Sequence, residues 1–348
     1  MKTVGIVRDA LFLRHRPPEG HPESPGRLKS VYAILDQGDL TGRLTLIAPR
    51  RAKRKEILLV HTARHLEKIR ATADREVCAL TRDTFTSAKS CEAALQAAGG
   101  LLEAVSQVVE GRLDAAFALT RPPGHHAEKS RAMGYCLFNN VALAAAFARR
   151  RLGLERVLIV DWDLHHGNGT QHLFENDDSV LYFSIHQRRI FPGTGLFTET
   201  GRGRGEGYTV NIPLPGGYGD AEYAALFERL LRPLATAFSP QLILVSAGFD
   251  THRDDPLGGM VMTAGGYAAM TRSLLETARA CCGGRLVFTL EGGYNTVALA
   301  ESVKAVLMEL ADLTRHDPRQ VMAQASAKRI AYAVHRATHV HGRLWNLS

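Results

Sequence analysis

Short apolar runs recur along the chain at Ala115 to Leu119, Arg156 to Val160, Val180 to Ile185, Leu242 to Ser246 and Leu286 to Leu290. Each is bounded by Gly, Pro, Asp or Asn and is too short for a helix, which reads as a buried strand. The segment Met1 to Asp9 reads as a first strand. Between them lie amphipathic or apolar helical patterns near Ser87 to Glu110, Val141 to Arg151, Ala221 to Ala237, Thr263 to Ala280 and Thr296 to Ala311. Strands alternating with helices predict an α/β fold, a mostly parallel central sheet with helices on both faces. Ligands in such sheets bind beyond the carboxyl ends of the strands. No Pro-, Ser- or charge-rich stretch divides the chain and no repeat is evident, so residues 1–348 read as one domain. Its core extends to about residue 312, and a basic helical tail follows from about 313 to 348.

Composition changes this picture little. Of 348 residues, 45% are hydrophobic and 22% charged, as in ordinary globular domains. No apolar leader opens the chain and no run approaches the ~20 residues of a membrane span, so a cytoplasmic protein without a membrane partner is expected. Five scattered cysteines, without a CxxC pair, read as reduced thiols. The net charge of +8 is concentrated at Arg50-Arg51-Ala52-Lys53-Arg54-Lys55 and in the tail. Such a surface can attract nucleic acid or simply be a solvated face. No aromatic-interleaved or known nucleic-acid motif accompanies it, so the solvated face is adopted and no nucleic-acid partner is expected. His335, His339 and His341 fall in the tail, read as a solvated helix or an oligomer contact.

The unusual polar residues all follow strands. The run Arg156 to Val160 leads into Asp161-Trp162-Asp163-Leu164-His165-His166-Gly167-Asn168-Gly169. In extended backbone Asp161, Asp163 and His165 share one side. Asp-x-His spacing suits a divalent metal; a capped turn with hydrogen-bonded carboxylates suits it equally. Asp250, after Leu242 to Ser246, is either a third ligand or a turn cap. His125-His126 follow the stiff turn Thr120-Arg121-Pro122-Pro123-Gly124, and Tyr294 follows Glu291-Gly292-Gly293. Four strands thus deliver Asp, His, His, Asp and Tyr to one rim.

Six ordered blocks make the pattern specific: Arg121 to Ala127, Gly134 to Asn140, Asp161 to Gly169, Phe191 to Gly195, Ser246 to Asp250 and Glu291 to Tyr294. Together, from about His21-Pro22-Glu23 to the helix after Tyr294, they resemble the zinc-dependent histone deacetylase superfamily. Asn168 and the following Gly-Thr-Gln look like its class II branch and bacterial relatives, which include acetylpolyamine amidohydrolases. The resemblance implies the single-domain arginase/deacetylase fold. It implies zinc on Asp163, His165 and Asp250, with Fe²⁺ or Co²⁺ compatible with the same ligands. It assigns catalytic roles to His125, His126, Tyr294, Asp161 and Asn168. It places Gly134, Tyr135, Phe191, Leu257, Gly292 and, more loosely, Asp83 around the substrate. It also implies a structural potassium site at Asp161, Asp163, His165, Ser184 and Ile185, and a second alkali-ion site around Phe174, Asp177, Val180 and Tyr208.

These residues suit removal of an acetyl or other acyl group from an amine. Two ligands are carboxylates, which largely neutralise the metal, so a nearby base is needed. His126, partnered by Asn168, is the expected base; His125, oriented by Asp161, is the electrostatic partner, and one of the pair protonates the leaving amine. Asn168, a neutral amide, should leave His126 less basic than a carboxylate would. Tyr294 would help hold the developing oxyanion. An arginase-type site would need further bridging Asp and His ligands, yet Thr251-His252 follow Asp250. A non-catalytic binding module on the same scaffold would not need the full residue set. The expected substrate is an acetyl-lysine-like peptide or small N-acetylated amine, with an acetylpolyamine as alternative. Tyr135 adds a hydroxyl to the wall, as in some polyamine-type relatives, whereas Leu257 stands where a spermidine-selective branch carries Glu. His166 is expected to pack structurally; His186 and His252 are expected near the mouth without ligating.

Overall fold

A computed structural model describes residues 2–345 and 347. Its main sheet has eight strands: β1 (Val4–Val7), β2 (Leu44–Ile47), β3 (Ala115–Ala118), β4 (Val157–Asp161), β5 (Val180–Gln187), β6 (Thr209–Leu214), β7 (Leu242–Ala247) and β8 (Leu286–Leu290). They run in the order β2-β1-β3-β8-β7-β4-β5-β6, and every pairing is parallel. The inner strands β3, β8, β7 and β4 are buried at every position. That follows from a sheet covered on both faces, where both sides of each strand need apolar residues. A two-stranded antiparallel ribbon, Cys78–Ala79 with Phe85–Thr86, stands apart.

The predicted helices form at Ser90–Val109, Asn140–Arg151, Ala264–Cys282 and Thr296–Leu310. Their ends follow local chemistry. Thr263 accepts from the Gly266 amide at the start of one helix, and Gly283 ends it in left-handed backbone at φ 62°. Asn139 and Asn295 cap two others. The helix expected over Ala221 to Ala237 is three pieces: α-helix at Asp220–Leu226, a π-turn at Phe227–Leu231, and α-helix at Arg232–Phe238. Pro233 lacks the amide hydrogen that a continuous helix requires, and the wider turn accommodates it.

The C-terminal segment corrects the expectation of a solvated tail. Helix Ala327–Trp345 buries Ile330, Ala333, Ala337, His341 and Trp345 along one stripe, while His335 and His339 stay exposed. The Trp345 indole donates to the Gly207 carbonyl at 2.8 Å, and its ring meets Tyr208 and Phe238 edge-on. The basic run near residue 50 is largely paired: Arg50 with Glu56, Arg51 with Glu92 and Arg54 with Glu67. The five cysteines are free. Among the described residues no helix is long and apolar enough to cross a membrane.

In-register pairing aligns the carboxyl ends. Asp161 on β4 lies beside Ser246 on β7 and Ser184 on β5, and Ala247 lies beside Leu290 on β8. The polar segments leaving β3, β4, β7 and β8 therefore start at one rim.

Candidate active site

At that rim Asp163, His165 and Asp250 converge, with one donor atom from each within 4.8 Å of the others. His165 Nδ1 lies 3.2 Å from Asp163 Oδ1 and 3.0 Å from Asp250 Oδ2. Ligands bound at about 2 Å to one tetrahedral ion sit about 3.3 Å apart, so this donor set fits a divalent cation. Both carboxylates are fully buried. Backbone amides hold them: Leu164 donates to Asp250 Oδ1 at 2.9 Å, His165 to Asp163 Oδ1 at 2.8 Å, and Gly292 to Asp163 Oδ2 at 2.8 Å.

The electrostatics match a cation site. Against the cost of burial, hydrogen bonds and charge from Asp163 and Asp250 push the His165 imidazole up to about 10. Burial and the charge of Asp163 raise Asp250, whereas His125 and His165 hold Asp163 well below the carboxylate range despite its burial. A proton on His165 stands where a metal's charge would.

The tandem histidines are held differently from each other. His125 Nδ1 lies 3.1 Å from Asp161 Oδ2, which also accepts from the Tyr182 hydroxyl at 3.0 Å. His126 Nδ1 lies 2.8 Å from Asn168 Oδ1. The rings are 4.0 Å apart, centre to centre. Although burial opposes it, the charges of Asp163, Asp161 and Glu291 push His125 up to about 10. Burial, followed by the charges of His125 and His165, drives His126 well below its ordinary value. Neighbouring groups with such opposed environments divide into a charged partner and a neutral base.

A cavity of about 240 Å³ opens onto His126 and His165, and its walls are Asp83, Gly134, Tyr135, Phe191 and Tyr294. Phe191 meets the His126 ring edge-on at 4.9 Å, and Tyr135 meets Tyr294 edge-on at 5.9 Å. Tyr135 is held in left-handed backbone, φ 67°, with its amide donating to Thr84 Oγ1 at 3.1 Å. Gly134 is required next to it: a Cβ there would lie 2.3 Å from the His126 ring. Asp83 accepts from the Thr81 and Thr84 hydroxyls at 2.7 and 2.8 Å. Tyr294 stacks under the Arg27 guanidinium at 5.0 Å, and burial raises its phenol well above the usual value, so it remains a donor.

Some expected residues sit elsewhere. Leu257 is 38% exposed and lies outside this cavity lining. Gly292 packs against the Asp163 and Asp250 carboxylates rather than on the wall: its Cβ would lie 2.3 Å from Asp250 Oδ2. His186 and His252 do not line the cavity; His186 is buried between Ser184 Oγ and the Gly195 carbonyl, and His252 is buried with its Nδ1 accepting from the Asp254 amide. His166 packs as expected, bonded to Thr194 and Gln171 at 2.8 Å each. For the expected potassium set, Asp161 and Ser184 are neighbours in register, Ser184 Oγ already bonds His186, and Ile185 is buried. In the second alkali-ion set, the Phe174 and Tyr208 carbonyls accept from the amides of Asp177 and Tyr182.

Several residues escaped the sequence reading. Glu291 Oε2 accepts from the Gly124 and His125 amides at 2.6 and 3.1 Å, and Oε1 accepts from Ser246, which ties the tandem-histidine turn to β8. Burial raises Glu291 to about 7. Asp255 accepts from the amides of Tyr294 and Asn295 at 2.6 and 3.2 Å. Arg27 donates to the carbonyls of Gly293 and Glu291, and its neighbour Glu23 is clasped by Arg121. The available signals were positional: Glu291 opens the block Glu291 to Tyr294, and Asp255 comes five residues after Asp250.

Comparison with known proteins gives a consistent result. Residues 21–310 match the histone deacetylase domain. Histone deacetylase 5 of Arabidopsis thaliana is 38% identical over 352 residues, covering 96% of this chain and 53% of the plant protein. A probable deacetylase of Archaeoglobus fulgidus is 40% identical over 295 residues, covering 84% of this chain and 82% of the archaeal one. The crystal structure of the HDA15 HD domain superposes with a TM-score of 0.92 at 38% identity, covering 99% of this chain and 96% of that one. The chain spans about half the length of the three Arabidopsis thaliana histone deacetylases it matches.

Proposed function

Because the chain belongs to the histone deacetylase family, we propose that it is a metal-dependent amide hydrolase that removes an acetyl group from acetyl-lysine-like peptides or small N-acetylated amines. The observation that carries this reading is that one cavity of about 240 Å³ is lined by His126, Tyr294 and His165, the last of which converges with Asp163 and Asp250. Asp163, His165 and Asp250 would hold zinc, with Fe²⁺ or Co²⁺ suited to the same ligands. Such an ion supplies Lewis acidity toward an acyl oxygen and a more acidic water.

The chain's own groups do the rest. His126, neutral and with Nδ1 engaged by Asn168, takes the proton of the attacking water at Nε2. His125, charged beside Asp161 and Asp163, stabilises negative charge as it develops and can return a proton to the leaving amine. The Tyr294 hydroxyl donates to the acyl oxygen, a contact that strengthens in the transition state. Tyr135 and Phe191 confine a narrow alkyl chain and exclude water. Asp83 at the wall can accept from an amide of a peptide substrate. A structural potassium beside Asp161 and Ser184 would further fix β4 against β5.

Deacetylation of an acetylpolyamine is the second reading, and one observation favours it: the Asp83 carboxylate faces the same cavity and can attract a cationic amine. The deciding experiment compares rates on an acetyl-lysine peptide, acetylspermidine and acetylputrescine, with and without chelator. The first reading expects the peptide to be fastest and chelator to abolish all turnover. Polyamine preference supports the second reading, and silence on every substrate with metal bound points to a binding module.

A further inference from the structure

We propose that Glu128 is a positioning residue that fixes the Asn168 amide and, through it, the tautomer of His126. The inference rests on the reading of His126 as the base. His126 Nδ1 lies 2.8 Å from Asn168 Oδ1, and both residues are buried. On the far side of the amide, Asn168 Nδ2 lies 2.5 Å from Glu128 Oε1. A carboxylate accepts hydrogen bonds and an amide nitrogen only donates. The Asn168 NH₂ must therefore face Glu128, which turns its oxygen toward the histidine. An amide oxygen accepts only, so the ring proton of His126 sits on Nδ1. Nε2 is left with its lone pair, the form a base needs.

Without Glu128 the amide could turn over at little cost, because its two ends have nearly the same shape. Its NH₂ would then face Nδ1, the proton would move to Nε2, and the base would be blocked. Glu128 is well anchored for this task. Its backbone pairs with Arg131 in a tight turn, the amide donating at 2.9 Å. Its Oε1 also contacts His172 Nδ1 at 2.9 Å. Asn168 and His172 lie four residues apart on helix Asn168–Phe174, so one carboxylate is gripped by one face of that helix. His172 is half exposed, so the chain of groups runs from the cavity to the surface.

The test uses the full chain loaded with Zn²⁺ and an acetyl-lysine peptide. Glu128→Ala should lower kcat about 10- to 100-fold, the range seen when a partner orienting a site ligand is lost, with KM within about twofold of wild type. In ¹⁵N-histidine-labelled protein, the proton of His126 should be on Nδ1 in wild type and on Nε2 in E128A. Asn168→Asp alone sets two carboxylates against each other and should cost about tenfold in kcat, and adding Glu128→Gln should restore it to within about threefold by reversing the donor and acceptor. A residue that merely packs would show no such rescue. Nδ1 protonation retained in E128A, or no recovery in the double variant, overturns the inference. A wild type that binds zinc but hydrolyses nothing overturns the functional reading instead, and the tautomer measurement then decides the role of Glu128 alone.

Discussion

Replacing Gly292 with alanine should weaken metal binding while sparing the fold. The new Cβ would lie 2.3 Å from Asp250 Oδ2 and 2.6 Å from Asp163 Oδ2. Ordinary contact needs roughly 3.5 Å, so both carboxylates must retreat by about 1 Å. In the metal-free protein they can turn apart. Around a shared ion they cannot, because the ion draws both oxygens together. Overpacking of this kind costs about 1–3 kcal/mol. At about 1.4 kcal/mol per tenfold, affinity should fall about 5- to 150-fold. Competition against a chromophoric chelator measures this directly, and the gap in melting temperature between metal-loaded and chelated protein should shrink in parallel. An affinity within twofold of wild type would refute the reasoning, since the two carboxylates would then not be engaged together.

Tyr294→Phe should lose about 10²–10³ in kcat, with metal content unchanged, because it removes one donor to the developing oxyanion; turnover near wild type sinks that role. Metal affinity should rise with pH, since an incoming cation must displace the proton that the triad holds on His165. That group is pushed up to about 10, so below that pH each unit of acidification should cost about tenfold in affinity; a flat profile from pH 6 to 9 would count against the assignment. Trp345→Ala should lower stability to denaturant by about 3–5 kcal/mol, the usual cost of emptying a large aromatic site, and leave kcat unchanged.

Much of this was legible in the sequence for identifiable reasons. The inner strands announce themselves because burial on both faces demands consecutive apolar residues, as in Leu242 to Ser246. The edges do not. Strand β2 exposes Thr45 and Leu46, and β6 carries Pro213, which an edge strand tolerates because one side needs no partner. The candidate metal-binding residues follow strands, Asp163 and His165 at two-residue spacing, so their direction could be read. Glu291, Asp255 and Glu128 could not be read in the same way. Each works by accepting from groups far away in sequence, and only the folded chain brings those donors near. The C-terminal helix misled because its charged residues are all basic, while its packing stripe uses small residues such as Ala333 and Ala337.

The order of strands has a consequence for how the chain is made. Strand β8 is the last in the chain, yet it sits in the middle of the sheet between β3 and β7. A ribosome emitting this polypeptide from its amino end releases the keystone after both flanks. Until residue 294 has emerged, β3 and β7 have bare inner edges, and the tandem-histidine turn lacks the Glu291 side chain that pins it. Open strand edges of that kind are prone to pairing with a neighbouring nascent chain. Synthesis of this protein therefore depends on shielding a half-built sheet, and a stalled or truncated product lacking β8 should aggregate rather than fold.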